Sequence, residues 1–250
     1  MNSGLYAALT GNINAMKRLD VVSNNLANAN TPGFKKDRLT FESVLNGANG
    51  GTQSPAGVDA GPVYSGDRFY TDYSVGPMQQ TGNPLDLAIE GDGFFSVTSP
   101  QGTAYTRQGN FHLDAAGRLL TSDGYPLSPE VVIPENATQI TVGSDGTVSA
   151  YLPGESTPTT VGMLQVVDFP KPYALQKIGS ALFVPADPQV VPQPVTTASV
   201  SQGAIEGSNV NTIGEMVQMI EASRYFDACQ RAVKSFDDMT GKAVNDLGKV

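Results

Sequence analysis

The 250-residue sequence predicts an α+β protein, with long N- and C-terminal helices paired as a coiled coil and a central antiparallel β-rich domain. Apolar residues recur with helical spacing at both chain ends. Most of the Gly and Pro residues lie between them, among short apolar runs typical of strands joined by turns. We therefore expect an N-terminal helix and turn in residues 1–45, a linker in 46–80, a β-rich domain in 81–204 and a C-terminal helix in 205–250.

The N-terminal helix is predicted over residues 2–29 from an apolar stripe with spacings of three and four. This stripe consists of Leu5, Leu9, Ile13, Met16, Leu19, Val22 and Leu26. The remaining surface carries Asn12, Asn14, Ser23, Asn24, Asn25 and Asn28. Asn amides compete for backbone hydrogen bonds, so we expect them to find partners across an interface. An ordinary surface helix with neutral polar side chains is the alternative.

The helix is expected to end near residues 28–30. Asn tolerates the left-handed conformation that follows a helix, and Pro32 cannot continue one. Residues 31–34 then form a turn in which the ring of Phe34 anchors the chain.

The C-terminal helix is predicted over about residues 209–250, which contain no Pro. Thr212 and Glu215 have capping-box spacing, with Ser208, Asn209 and Asn211 as competing caps. Apolar and small residues recur about every 3.4 positions, close to the repeat of a left-handed supercoil. These are Ile213, Met216, Ile220, Ser223, Phe226, Cys229, Val233, Phe236, Met239, Ala243 and Leu247. An ordinary packed helix of a globular domain is the alternative.

Pairing the two helices closes a loop of nearly the whole chain, but that entropy cost grows only logarithmically with length. A thin apolar seam buries little area, so we expect the ends to be loose in the monomer and ordered on assembly.

The central region predicts an antiparallel β domain. Leu85, Leu87 and Ile89 alternate with other residues before the turn 91–93, and Phe94 follows it, which predicts a hairpin. Further turns are expected at 116–117, 123–124 and 145–146, and further strands at 161–169 and 181–184.

Charge divides the chain. Residues 46–204 hold five basic and fourteen acidic residues, whereas the two ends hold ten of each. Clustered cations that would bind nucleic acid are absent from the sequence. Neutral ends beside an acidic middle suggest that the ends pack against copies of themselves, although chance in a small sample could produce the same distribution.

The sequence contains no motif that supports catalysis. His112 is the only histidine and Cys229 the only cysteine, which excludes a Cys-based zinc site and an intrachain disulfide. Asp86, Glu90 and Asp92 could supply the acid and base of a glycosidase, but the chain lacks Trp for a sugar cleft. Neither a membrane span nor a cleaved signal is apparent, which by itself predicts a cytoplasmic protein.

Three segments resemble the rod, hook and hook-associated proteins of the bacterial flagellum. Residues 23–35 (SNNLANANTPGFK) resemble their N-terminal signature, and residues 206–211 with 215–217 and 224–226 resemble their C-terminal signature. Residues 91–95 with Tyr105, Thr106, Arg107, Gly109 and Phe111 are similar to their central β motif. Chain length and the sequence after the first helix favour a proximal-rod member over a distal-rod member.

The resemblance implies a structural subunit, not an enzyme, that binds no cofactor, metal, nucleic acid or small-molecule substrate. It implies type III export without a cleaved signal, a final location in the periplasmic basal body, and self and neighbouring rod subunits as partners. A secreted carbohydrate-acting β protein is the remote alternative. We expect the subunit interface to comprise Leu5, Leu9, Ile13, Met16, Val22, Asn24, Asn25, Leu26, Asn28, Phe34, Asn209, Val210, Met216, Ile220, Phe226, Val233 and Phe236.

Overall fold

The structure, a computed structural model, describes residues 2–40, 68–154, 157–179, 181–195 and 198–247. Its contacts divide the chain into two units. The first unit comprises residues 1–27, 36–72 and 211–250, and the second comprises 28–35 and 73–210. Residues 73–80, which were expected in a linker, therefore belong to the β-rich unit, and most of the remaining predicted linker, 46–67, lies outside the described residues.

Four elements form the described part of the first unit. They are the helix α1 (Asn2–Ala27), the strands β1 (Asp37–Thr40) and β2 (Arg68–Thr71), and the helix α2 (Thr212–Leu247). Both predicted helices are thus present. At a rise of about 1.5 Å per residue, α1 is about 39 Å long and α2 about 54 Å.

The start of α2 is capped by Asn211, one of the competing caps. Its Oδ1 accepts a hydrogen bond from the backbone N–H of Gly214 at 2.9 Å. The predicted capping box of Thr212 and Glu215 is not used. The Glu215 carboxylate instead accepts a hydrogen bond from Asn25 Nδ2 at 3.2 Å, because Glu215 lies on the side of α2 that contacts α1.

The two helices run antiparallel and approach closely through glycine. A Cβ built on Gly4 would lie 2.8 Å from the ring of Phe236, and one on Gly11 would lie 3.0 Å from Cys229 Sγ. Asn25, near the end of α1, contacts Glu215 near the start of α2. Since the contacts pair early α1 with late α2, the helix directions are opposite.

The face of α2 toward α1 repeats with alternating steps of four and three. Its buried and half-buried residues are Glu215, Met219, Ala222, Phe226, Cys229, Val233 and Phe236. The predicted seam matches this face from Phe226 to Phe236, whereas its next member, Met239, is 54% exposed. Its earlier members Ile213, Met216 and Ile220 are 71%, 46% and 54% exposed, so the seam prediction is wrong for contacts with α1. The large apolar residues of the first turns point outward, while Ala222 and Glu215 point inward.

Asn25 joins α1 to strand β1. Its Nδ2 donates to the carbonyl of Asp37 and its Oδ1 accepts from the N–H of Asp37, both at 2.9 Å. β1 pairs antiparallel with β2. The buried Asn25 amide therefore makes the two backbone hydrogen bonds that a residue of a neighbouring strand would otherwise make to Asp37.

The described strands of the second unit pair only in antiparallel fashion, which confirms the predicted antiparallel domain. They are β3 (Met78–Gln80), β4 (Leu87–Glu90), β5 (Phe94–Ser99), β6 (Gly102–Thr106), β7 (His112–Leu113), β8 (Leu119–Leu120), β9 (Gln139–Val142), β10 (Thr147–Tyr151), β11 (Thr159–Met163), β12 (Val166–Asp168), β13 (Leu175–Lys177), β14 (Leu182–Pro185), β15 (Gln193–Pro194), β16 (Ser199–Gln202) and β17 (Ala204–Glu206).

The largest sheet has the strand order β13-β14-β6-β5-β12-β15, and β11-β10-β9 form a second sheet. Phe95, Val97 and Leu182 belong to the main apolar core. A second, aromatic cluster contains Phe94, Tyr105 and Phe183. Because Phe94 and Phe95 are successive strand residues, they supply opposite faces of β5.

The predicted hairpin at residues 91–93 is wrong, although its turn and both flanking strands exist. Gly91 and Gly93 have φ of 103° and 128°. However, β4 pairs with β16, whereas β5 pairs with β6 and β12. β4 is buried at Leu87, Ala88 and Ile89 in succession, so it is a core strand whose partner lies over 100 residues away.

The other predicted turns are confirmed. Gly117, Gly124 and Gly146 have φ between 77° and 84°. The first turn is tightened by Asp114, whose pKa is lowered chiefly by the hydrogen bond from the backbone N–H of Arg118. The strand predicted at 161–169 is divided into β11 and β12, and the one predicted at 181–184 corresponds to β14.

Replacing Gly11 with Leu tests the close approach of the helices. The added side chain would overlap Cys229 and Tyr225, so we expect a loss of roughly 1–3 kcal/mol in the free energy of unfolding. The matched control is Gly241→Leu, in α2, where an added Cβ meets nothing within 4 Å and stability should rise by up to about 1 kcal/mol. Thermal unfolding followed by helical circular dichroism measures both. Equal effects of the two variants would contradict the close packing.

Candidate functional site

Six of the predicted interface residues are at least 40% exposed. On α1 these are Leu5, Leu9, Ile13 and Met16, between 40% and 53% exposed. On α2 they are Met216 and Ile220. At about 100° per residue, Leu9, Ile13 and Met16 lie on the side opposite Gly4 and Gly11, whereas Leu5 lies at the flank of α1 and also lines the space between the helices. The described residues thus leave two apolar helix faces uncovered, which we call the outer α1 face (Leu5, Leu9, Ile13, Met16) and the outer α2 face (Ile213, Met216, Val217, Ile220).

Other predicted interface residues are already packed inside the first unit. Val22 and Asn25 are buried, and Phe226, Val233 and Phe236 are half-buried along the inner side of α2. Leu26 is also half-buried, whereas Asn24 is exposed. Only the exposed part of this set can contact another subunit without opening the helix pair.

The remaining predicted residues lie in the second unit. Phe34 is buried, with the Lys177 ammonium 4.2 Å from its ring centroid, which supports its predicted anchoring role. Asn209 donates from Nδ2 to the Ser74 carbonyl at 3.1 Å. Asn28 Oδ1 accepts from the Thr31 hydroxyl at 3.2 Å. Val210 is half-buried. These residues hold neighbouring segments of the second unit in place, whereas the residues of the outer helix faces are exposed.

A buried ion cluster, here called the Glu206 cluster, consists of Glu206, Lys35 and Arg107. Lys35 Nζ lies 2.5 Å from Glu206 Oε1, and Arg107 Nη1 lies 3.0 Å from Glu206 Oε2. The three side chains are between 1% and 4% exposed. One carboxylate therefore pairs with two cations that come from distant parts of the sequence.

Backbone groups complete the Glu206 cluster. The Gly76 N–H donates to Glu206 Oε1 at 2.8 Å, and Lys35 Nζ donates to the Ser74 carbonyl at 2.8 Å. Arg107 donates to the carbonyls of Ile89 and Gly91. Ion pairs and hydrogen bonds of this kind offset the cost of burying the charges, although Arg107 Nε is buried without a partner in the described part of the chain. Through Glu206, Lys35 and Arg107, the cluster joins five separated stretches of the second unit, at residues 35, 74–76, 89–91, 107 and 206.

Glycine permits the tight packing around the cluster. Gly33 has φ 67°, and its N–H donates to the Glu206 carbonyl at 2.7 Å. A Cβ at Gly33 would lie 2.4 Å from the carbonyl carbon of Arg107. No side chain fits there, so residues 31–35 depend on Gly33 both for conformation and for space.

Sequence reasoning missed the inner helix face and the Glu206 cluster. Gly4, Ala8, Gly11, Ala15 and Val22 follow heptad spacing, a signal obscured by the larger residues beside them. Lys35 and Glu206 were recognised only as members of family-like segments. No local pattern indicates that these two residues, 171 positions apart, share one hydrogen bond.

The candidate catalytic groups have structural partners. Asp86 accepts from Asn83, Glu90 from Ser199, and Asp92 from Lys171 at 2.6 Å. His112 is exposed on β7. Burial raises the pKa of Tyr105 and, together with a hydrogen bond to Asp168, that of Tyr173, so both phenols stay protonated. Within the described ranges, no cluster of three potential metal ligands occurs.

Neither α1 nor α2, over the part the structure describes, combines the length and apolar character required to cross a membrane.

Comparison with known proteins gives three family matches. Residues 5–35 match the flagella basal body rod protein family, residues 88–150 match the flagellar hook protein FlgE/F/G D1 domain, and residues 201–247 match the flagellar basal body rod FlgEFG protein C-terminal family. Together they include both helices and the start of the β-rich unit.

Curated relatives match over nearly the whole chain. The flagellar basal-body rod protein FlgG of Bacillus subtilis is 36% identical, covering 98% of this chain and 99% of the relative. FlgG of Buchnera aphidicola from Schizaphis graminum is 34% identical over 97% and 98% of the two chains. FlgF of Rhizobium meliloti is 33% identical over 99% of both. These relatives are structural rod proteins rather than enzymes.

Replacing Glu206 with Gln should destabilise the protein strongly. The substitution keeps the shape but leaves Lys35 and Arg107 buried without a counter-charge, and breaking such a group costs roughly 3–5 kcal/mol. Urea unfolding measures the loss, with the exposed Glu135→Gln as the matched control. A loss no greater than that of the control would show that the cluster contributes little.

Gly33→Ala separates conformational strain from steric exclusion. Gly82 also has a positive φ, 73°, but nothing lies within 4 Å of its virtual Cβ. Gly82→Ala should cost about 1–2 kcal/mol from backbone strain alone, and Gly33→Ala should cost clearly more because its Cβ meets backbone atoms. Equal losses in urea unfolding would contradict the close approach of residues 33 and 107.

Proposed function

Because the chain belongs to the flagellar basal-body rod and hook family, we propose that it is a rod subunit that self-assembles through its terminal helices and carries torque from motor to hook. The outer faces of α1 and α2 are the observation that carries this proposal. In the proposed rod, the terminal helices pair as a coiled coil and form the inner tube, and the β-rich domain forms the outer layer.

The outer helix faces have the size expected of an assembly surface. Eight large apolar residues on them are between 40% and 71% exposed. Completing the burial of each half-exposed Leu, Ile or Met contributes roughly 1 kcal/mol. Contiguous exposed apolar surface of this kind is typical of an interface in a soluble chain. Packing against further copies therefore supplies free energy that the isolated helix pair lacks.

Repeated contact between unlike surfaces suits a mechanical role. Heterologous contacts that do not close into a ring produce an open helical array, in which each subunit bears part of the load. Within each subunit, the Glu206 cluster resists separation of the segments that it joins, because any opening strands a buried charge.

The position that we propose along the rod is proximal, as in the proteins named FlgF. The length of the chain and the sequence that follows its first helix support this assignment. A distal position, as in FlgG, is the second candidate, and the identities of 34–36% to several FlgG relatives favour it. Localising the tagged protein in isolated basal bodies by cryo-electron microscopy discriminates between the two.

The proposed route to the rod is type III export without a cleaved signal, ending in the periplasmic part of the basal body. Its partners are then the export apparatus in transit and neighbouring rod subunits in the final structure. The helix ends are proposed to become fully ordered during assembly, so their amide hydrogens should exchange faster in the monomer than in purified basal bodies.

Replacing Ile13 with Lys tests the proposed assembly surface. A charge on the outer α1 face should block packing between subunits. A strain in which the Ile13→Lys variant is the only form of the protein should therefore lose motility. The Tm of the monomer should stay within about 2 °C, since the site is already 47% exposed. Soft-agar swimming and basal-body purification provide the readouts.

The matched control is Ala7→Lys, an exposed position about 120° around the same helix from Ile13. It should leave swimming intact. Normal motility of the Ile13→Lys strain would contradict the proposal that this face is buried in the rod.

A further inference from the structure

The chain passes between the two units at four peptide bonds, which join residues 27 to 28, 35 to 36, 72 to 73 and 210 to 211. On the side of the second unit, the chain therefore enters at residues 28, 35, 73 and 210, here called the four entry points. Any pull that the chain itself transmits from the first unit reaches the second unit at one of these residues. The way in which the second unit holds them therefore decides how it responds to such a pull.

Hydrogen bonds of the second unit join the second, third and fourth entry points. The Ser74 carbonyl, next to the third entry point, accepts from Lys35 Nζ at 2.8 Å. The same carbonyl accepts from Asn209 Nδ2 at 3.1 Å, and Asn209 is next to the fourth entry point. The N–H of Asn209 in turn donates to the Phe34 carbonyl at 3.3 Å. The chain segments at these three entry points thus hold one another directly.

The first entry point, Asn28, is joined to the others through the turn that follows α1. Thr31 donates from its N–H to the Asn28 carbonyl at 3.1 Å and from its hydroxyl to Asn28 Oδ1 at 3.2 Å. The N–H of Phe34 donates to the Thr31 carbonyl, and that of Gly33 donates to the Glu206 carbonyl at 2.7 Å. Each entry point, or the residue next to it, thus belongs to one hydrogen-bonded network.

Regular secondary structure alone would hold the entry points weakly. Strand β17 ends at Glu206, shortly before the fourth entry point, and it pairs with β3 at three residue pairs. A pull on residue 210 would peel so short a ladder from its end and break its hydrogen bonds one after another. Residues 28–35 contain turns but neither a helix nor a strand. The ladder and the turns by themselves therefore offer little resistance to a pull.

The Glu206 cluster changes the order in which these bonds can break. Glu206 Oε1 accepts from Lys35 Nζ and from the Gly76 N–H, and Glu206 Oε2 accepts from Arg107. A shift of Glu206 or of Lys35 alone would separate a buried ion pair, which is costly because the separated charges remain out of water. Bonds to several segments therefore have to break together, and a pull at one entry point is distributed over all of them.

We propose that this network is a mechanical clamp, which keeps the four entry points together and so prevents the second unit from unravelling where a pull enters it. The inference rests on the proposed function, which supplies the load. It gives Lys35 and Asn209 a role beyond stability, because their side chains join entry points to one another. Arg107 instead ties the cluster to the carbonyls of Ile89 and Gly91, in β4 and the turn after it.

Replacing Lys35 with Met tests the clamp. The substitution fills most of the same space and leaves Glu206 paired with Arg107, but it removes the links from residue 35 to Ser74 and Glu206. Drag raises the torque in the rod as the medium becomes more viscous. Cells in which the variant is the only form of the protein should stop swimming at a viscosity at least about twofold lower than cells with the unaltered chain, since rupture under load follows the unfolding rate. Swimming speed measured against viscosity gives this limit.

Core substitutions of matched stability provide the control. Val148 in β10 and Leu127 are buried in the main apolar core, outside the network, so Val148→Ala and Leu127→Ala destabilise the second unit without altering the clamp. Urea unfolding selects the one whose loss of stability equals or exceeds that of Lys35→Met. Its viscosity limit should stay close to that of the unaltered chain. If Lys35→Met has the same limit as this control, Lys35 contributes stability only and the clamp is wrong.

Asn209→Ala tests the same clamp without altering a buried charge. It removes the two side-chain hydrogen bonds to Ser74 from a half-buried position. The variant should therefore fold, and it decides the outcome if Lys35→Met does not. Its viscosity limit should also lie below that of the stability-matched core variant. An unchanged limit would contradict the clamp, because the Asn209 side chain joins the third and fourth entry points.

A disulfide in place of the polar contacts separates the clamp from other effects of these substitutions. Ser74 Oγ and Asn209 Nδ2 are 3.2 Å apart, so cysteines at both positions can be linked. In a Cys229→Ala background with intact motility, oxidation should restore swimming of the Lys35→Met chain in viscous medium, and a reducing agent should abolish the recovery. A cross-link detected in isolated rods by mass spectrometry, without recovery of swimming, would overturn the clamp. Deletion of the whole chain without any effect on motility would instead contradict the proposed function.

Discussion

The carboxylate of Glu206 constrains the second unit more than any other single group in the described structure. It is fully buried, and it is held by Lys35, Arg107 and the N–H of Gly76. Taking three ionic side chains out of water is costly, and the ion pairs and hydrogen bonds of the cluster offset that cost only while they remain formed. Opening only part of the Glu206 cluster would therefore leave a buried charge unpaired, at a large cost in free energy. Residues 31–35, 74–76 and 206–210 are consequently fixed together or not at all.

The helix pair follows a different physical logic. Its inner face uses Gly4, Gly11, Ala15 and Ala222, which bring the helices close but bury little apolar area. Leu9, Ile13 and Met16 of α1 and the large residues in the first turns of α2 point outward instead, although Phe226 and Phe236 lie on the inner side. Such a pair gains modest stability by itself and considerably more when further chains cover it, since binding to the folded state alone stabilises that state. Folding of the ends and proposed assembly are thereby coupled.

The sequence predicted those parts of the fold that depend on local pattern. Both helices, the anchoring turn around Phe34, the glycine turns and the antiparallel character of the middle are present. The predictions failed where an element pairs with a partner that is distant in the sequence. The strands on either side of Gly91 and Gly93 look like a hairpin, yet each finds a better-packed partner elsewhere in the chain. Periodicity identifies an element but does not identify its neighbour.

The predicted interface residues on the two helices show the same limit of periodicity, which does not identify the neighbour of each residue. The apolar residues of each helix were predicted to form one surface, but each helix has two. Where the helices approach most closely, small residues such as Gly11 and Ala222 face the partner helix, and large residues such as Leu9 and Ile220 lie on the opposite side. Residue size, rather than hydrophobicity, distinguishes Gly11 from Leu9 and Ala222 from Ile220. A subunit built in this way must keep large residues outward at positions where a stable monomer would bury them. The exposed Ile and Met residues are therefore better explained by further copies of the chain than by the stability of one copy.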